Sequence, residues 1–98
     1  MNPETPQPAS QSVPRLLQLA PDDNVAVAAT AIPAGQTLPW EGRTLRFAAA
    51  IPAGHKVALV PIAAGEKVLK YGAPIGSATC GIEPGEHVHT HNLKSDYF

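Results

Sequence analysis

Hydrophobic positions along this chain come in short runs, each closed by a proline, a glycine or a charged pair. Leu16, Leu17 and Leu19 precede the cluster Pro21-Asp22-Asp23-Asn24, and Val25-Ala26-Val27-Ala28 follow it. Two apolar runs around a Pro/Asp/Asn turn predict a β-hairpin. Further β-compatible runs are Arg43–Phe47, Lys56–Val60, Lys67–Lys70 and Ile75–Thr79. None keeps a helical period over ten or more residues. Prolines at positions 33, 39, 52, 61, 74 and 84 would break any long helix between Ala31 and Asn92, because proline removes a backbone donor and clashes with the preceding turn. The pattern predicts a mostly-β, turn-rich domain in which Trp40, after Pro39, sits in a loop.

A short internal repeat punctuates these runs. Residues 32–38 read IPAGQTL, 51–57 IPAGHKV, 62–68 IAAGEKV and 82–88 IEPGEHV. Each is an isoleucine, then alanine or proline before a glycine, then valine or leucine. The glycine suits position i+2 of a type II turn, which demands a positive φ, and the alanine or proline before it suits i+1. The flanking aliphatic residues then point into one core. The repeats start 19, 11 and 20 residues apart, so this is a recurring turn device and not a solenoid of equal units.

The last repeat leads into His87-Val88-His89-Thr90-His91-Asn92. In an extended strand alternate side chains share a face, so the spacing predicts three imidazoles on one side. If the strand stays straight, the His87 and His91 Cα atoms lie about 14 Å apart, while a metal needs each nitrogen within about 2 Å. A metal would therefore take at most two of His87, His89 and His91, with further ligands from elsewhere, most simply a partner subunit. His55 is expected to be a turn residue bonded to its surroundings. Lys56 and Lys70 could hold a carboxylate, and Tyr71 and Asn92 could hydrogen-bond hydroxyls. As structural readings, Lys56 and Lys70 are solvated strand ends and Tyr71 a packed aromatic.

Composition narrows the field. The 98 residues fit one domain, with 1–14 as a disordered arm and 15–98 as the folded part. Net charge is −1, which argues against a nucleic-acid or membrane-surface footprint. No apolar run approaches a membrane span, and the N-terminus lacks the pattern of a secretory signal. The single cysteine, Cys80, excludes an intrachain disulfide, suits the cytoplasm, and is expected to be a small buried hydrophobe. About 80 ordered residues make a small core, which favours a partner chain or a homo-oligomer.

From Asp23 to Asn92 the chain resembles the small SAF-type domain of the altronate dehydratase family. The carrying residues are Asp23–Val27, Ile51–Leu59, Ile62–Glu66, Lys70–Gly76 and Gly85–Asn92. The ordered combination GHK, KYG-x-PIG and HVHTHN is specific where any one alone is weak. The resemblance implies a β-clip fold and a place in lyases that dehydrate sugar acids such as altronate or galactarate, or eliminate sulfite from sulfolactate. It also implies a larger dehydratase-type subunit as partner, and a divalent metal such as iron(II) shared with it.

Dehydration of a hydroxy acid needs a base for the proton α to the carboxylate, help for the departing hydroxyl, and groups that hold the carboxylate. His87, His89 and Asn92 are the leading site candidates, the two histidines as catalytic groups and Asn92 as a substrate-binding one, with His91 and Lys70 next and with Lys70, Tyr71 and Lys56 as further substrate-binding candidates. Two other readings compete. One is a non-catalytic SAF module for carbohydrate binding or assembly. The other is a cupin-like metalloenzyme: Gly81 and His87-x-His89 imitate the start of that motif, but Leu93, Lys94 and Ser95 stand where a glutamate is needed.

Overall fold

The computed structural model describes residues 14–96. The expected arm lies, except for Pro14, outside the described residues. Among those described the regular structure is entirely β: β1 (Leu16–Leu17), β2 (Val25–Ala28), β3 (Thr37–Trp40), β4 (Arg43–Arg46), β5 (Lys56–Ala58), β6 (Lys67–Lys70), β7 (Ala73–Ala78), β8 (His87–Val88) and β9 (Leu93–Lys94). No helix among them is long and apolar enough to cross a membrane. A four-stranded antiparallel sheet runs β1-β2-β5-β8, flanked by the β3–β4 hairpin and the three-stranded sheet β6-β7-β9.

Side-chain alternation across the central sheet divides the core in two. Ala26, Ala28 and Val57 join Ile32, Leu45, Phe47, Ile51 and Leu59 in one cluster. Val25, Ala58 and Val88 join Ile62, Val68, Ala78 and Ile82 in the other. Both faces of a sheet only a few residues wide are thus apolar, which explains the unbroken run Val25–Ala28. Full burial of each isoleucine is worth about 1.5–3 kcal/mol, and the isoleucines of all four repeats are buried.

The repeat builds one device four times. Its isoleucines pair by isolated bridges, Ile32 with Ile51 and Ile62 with Ile82. Each turn closes as expected: Gln36, His55, Glu66 and Glu86 donate their N–H to the carbonyls of Pro33, Pro52, Ala63 and Glu83. That puts Gly35, Gly54, Gly65 and Gly85 at i+2, where φ is +85° to +88°. Each turn then grips one core residue with two backbone bonds. The glycine N–H donates to the carbonyl of Phe47, Ala28, Ala78 or Ala58, and that residue's N–H donates to the carbonyl just after the glycine.

Two expectations need correction. Trp40 lies in β3 opposite Arg43 and packs against the first core cluster, not in a loop. The preceding Pro39 is tolerated because β3 pairs on one side only. Cys80 is exposed, not buried, in the segment after β7. The β3–β4 and β6–β7 hairpins also use two-residue turns with both φ values positive, Glu41-Gly42 and Tyr71-Gly72, as the twist of paired strands favours.

Candidate functional site

The imidazoles cluster, but not on one straight strand. Strand β8 ends at Val88, and residues 89–92 form a tight turn. Asn92 causes this. Its Oδ1 accepts the His89 N–H at 2.9 Å, and its Nδ2 donates to the His87 carbonyl at 2.8 Å. The residue is 1% exposed, so its amide is engaged inside the chain and shapes the histidine turn instead of facing a ligand.

The residue that completes the cluster is His55, at the start of β5. Strands β5 and β8 pair with Lys56 opposite Val88 and Val57 opposite His87, and continuing that register sets His55 across from His89. The His55 and His89 rings stack at 4.5 Å between centroids, and His55 and His87 at 5.1 Å. His55 Nδ1 and His87 Nε2 are 2.9 Å apart, a hydrogen bond in which one ring donates and the other accepts. One ring nitrogen from each of His55, His87 and His89 falls within 4.8 Å of the others. His91 is exposed and leans on His87 at 5.4 Å, tilted by 42°.

His87 and His89 are held toward the neutral form. Burial first, then His55, His91, His89 and Lys56, hold the His87 imidazole below its ordinary value near 6.5. His89 is lowered by burial, His55, Lys56 and His91. An imidazole harder to protonate in the folded state takes up its proton more readily in the unfolded chain. The stability tied to it is therefore complete above about pH 6.5 and is lost as pH falls below that. We expect the melting temperature, measured with chelator, to fall between pH 7.5 and 5.5, and to fall less in His87→Gln.

An open groove of about 470 Å³ adjoins the cluster, lined by Arg46, Ala48, Ala49, the segment Glu83–His87, and His91. Arg46 is exposed, and among the described residues no ion pair or hydrogen bond engages its guanidinium. Its position is fixed by its backbone, which approaches Gly85 so closely that a Cβ there would strike the Arg46 carbonyl. A second groove of about 260 Å³, lined by Gln18, Trp40, Glu41 and Arg43 among others, contains no histidine.

Of the remaining sequence candidates, Lys56 adjoins the three-ring group, pairing with Val88 and acting electrostatically on His87 and His89. Lys56 is half-buried and, by burial and then by Lys70, held below the ordinary lysine range. Lys70 reaches over the Tyr71 ring at 6.0 Å. Tyr71 is 71% exposed at a hairpin tip and not packed as expected. Sequence reasoning passed over His55 and Arg46. The signal for His55 was the repeat itself: residues 51–57 and 82–88 carry the same turn, with a histidine one residue after the glycine in the first and two residues after it in the second.

Comparison with known proteins identifies the family. The family model described as the altronate/galactarate dehydratase SAF domain matches residues 14–96. Altronate dehydratase of Escherichia coli K12 is 42% identical over 74 residues, covering 76% of this chain but 15% of that protein. The (2R)-sulfolactate sulfo-lyase subunit alpha of Chromohalobacter salexigens is 44% identical over 81 residues, covering 76% of this chain and 86% of that subunit. The corresponding subunit of Paracoccus pantotrophus is 53% identical over 45 residues, 46% of this chain and 67% of that subunit. The chain thus spans a small fraction of the dehydratases and most of the length of a sulfo-lyase subunit. With one family model covering every described residue, the chain belongs to the SAF-domain family of altronate and galactarate dehydratases.

Proposed function

We propose that this chain is the small accessory part of a hydroxy-acid lyase, working in the cytoplasm with a larger subunit on a sugar acid or a sulfolactate-type substrate. The observation that carries the reading is the histidine cluster beside an open groove, on a chain similar in extent to a named lyase subunit. A groove open to solvent cannot by itself exclude water around a small anion, so a larger partner closes over it.

In that assembly His87 and His89 are the proton-handling groups. Held neutral and with its lone pair not given to a metal, either can accept the proton α to the carboxylate. Arg46, unpaired on the same groove, offers a planar fork for the carboxylate, a better-placed cation than Lys56 or Lys70. Asn92 keeps His87 and His89 in register through its two backbone bonds. His55, His87 and His89 would hold iron(II) or another divalent metal, which would supply Lewis-acid help for the departing β-substituent, the rings then acting as ligands in place of a base. The donor set suits such an ion, being three ring nitrogens close together with open space beside them.

Reconstitution with the large subunit tests the proposal. His87→Ala and His89→Ala should each lower kcat by about 100-fold or more, the scale of a lost acid–base group, while the fold is retained by circular dichroism. Full activity in both variants would remove the cluster from the mechanism. Robust turnover by the isolated 98-residue chain would overturn the accessory role.

A further inference from the structure

We infer that this chain alone forms a complete three-histidine site for one divalent transition metal, through His55, His87 and His89, with His91 outside the coordination shell. The inference concerns the same cluster as the lyase reading but does not depend on any reaction.

The case starts from the ligand atoms. Metal–imidazole bonds of about 2.0–2.1 Å set at tetrahedral or octahedral angles place neighbouring nitrogens roughly 3.0–3.4 Å apart. The His55 and His87 nitrogens are already 2.9 Å apart, and the third lies within 4.8 Å of both. The rings now stack nearly parallel, at 9° between His87 and His89 and 21° between His55 and His89, so converging on one ion requires them to turn about their outer imidazole torsions, which have broad minima.

Two further features distinguish this cluster from a chance meeting of rings. The first is where the rings are anchored. His55 and His87 both follow a glycine turn whose backbone bonds lock it to a core residue, Ala28 in one case and Ala58 in the other. His89 is fixed through its own N–H by Asn92. All three ligands are thereby held by backbone geometry before any ion arrives, which lowers the ordering cost of binding. The second is the chemistry of the donors. Three imidazoles and no carboxylate or thiolate make a nitrogen-only set, which suits zinc, iron(II), cobalt(II) or nickel(II) over magnesium or calcium. Three protein ligands also leave positions for water, substrate or a partner's donor, as catalytic sites require.

His91 does not belong to this set. It is exposed, tilts against His87 at 5.4 Å between ring centroids, and lies outside the group of ring nitrogens within 4.8 Å of one another. The donor from elsewhere that the histidine spacing called for is His55 of the same chain, so loading needs no second subunit.

The test uses the full chain, stripped with chelator and titrated with cobalt(II) and with zinc, by calorimetry and by the cobalt d–d absorption. One ion per chain is expected, with a spectrum characteristic of nitrogen ligation, and magnesium should not compete. His55→Ala, His87→Ala and His89→Ala should each weaken binding by about 100-fold or more, whereas His91→Ala should stay within about threefold. Thermal unfolding controls for folding, and His55→Gln, which keeps bulk and polarity, should bind as weakly as His55→Ala. Absence of binding by the folded wild-type chain, wild-type affinity in His55→Ala, or equal losses in His91→Ala and His89→Ala would each overturn the site. Metal binding without lyase activity on reconstitution would leave this site standing and reject only the lyase reading.

Discussion

Replacing Asp23 with alanine is expected to lower the unfolding free energy by about 3–5 kcal/mol, because the buried carboxylate is lost and three part-buried backbone N–H groups each lose a charge-assisted acceptor. Asp23 is 5% exposed. Its Oδ2 accepts from the Ala20 and Tyr71 N–H groups at 3.0 and 2.9 Å, and its Oδ1 accepts from Gly72 at 2.7 Å. One carboxylate thus ties the turn before β2 to the tip of the β6–β7 hairpin. The neighbouring Asn24 adds to this by accepting from the Leu69 N–H and donating to the Lys67 carbonyl. Asparagine at position 23 should rescue little, because its amide nitrogen would face backbone donors where a carboxylate oxygen now accepts. Urea unfolding of the two variants measures this. A loss under about 1 kcal/mol in Asp23→Ala would mean that water replaces the carboxylate without penalty.

The second large effect separates two glycines that share a conformation. Gly54 and Gly85 have the same φ of +86°. A Cβ on Gly54 meets nothing within 4 Å, whereas one on Gly85 strikes the Arg46 carbonyl. Gly54→Ala should therefore cost only the left-handed backbone strain, about 1–2 kcal/mol. Gly85→Ala should cost that plus a forced separation of β4 from the turn before β8, for a total of about 3–5 kcal/mol. The difference between the variants isolates the close approach from the conformational term. Because that approach also fixes the groove between Arg46 and His87, Gly85→Ala should disturb the site as well as the fold. Equal midpoints and equal m-values for the two variants would show that the Arg46 segment moves aside freely.

Much of this architecture was legible because it rests on local rules. The four Ile-x-x-Gly turns follow from what glycine permits, and their φ values and closing bonds match the reading. The β1–β2 hairpin and the absence of helix among the described residues followed from the apolar runs and the prolines. What escaped was long-range. Asp23 and Asn24 read as a turn cluster, yet their side chains act on residues more than forty positions away. His55 read as an isolated turn histidine because its partners lie 32 residues on. The bend at His89 escaped because it depends on one buried side chain, Asn92, that looked equally suited to meeting a ligand. Pro39 concealed β3, since a proline rules out a central strand but not one paired on a single side.

Strand β8 closes the central sheet at the histidine side, and it is two residues long before the chain bends away at His89. An outer strand normally presents a row of unpaired amides and carbonyls on which another chain can add. Here the row ends almost as it begins, so the edge offers no template of useful length for strand addition. A surface carrying stacked rings and an apolar groove can then stay open to a proper partner while resisting fibre-like self-association. Recognition at this end must be written in side chains, and a partner has to read the rings and the arginine because there is scarcely any backbone to read.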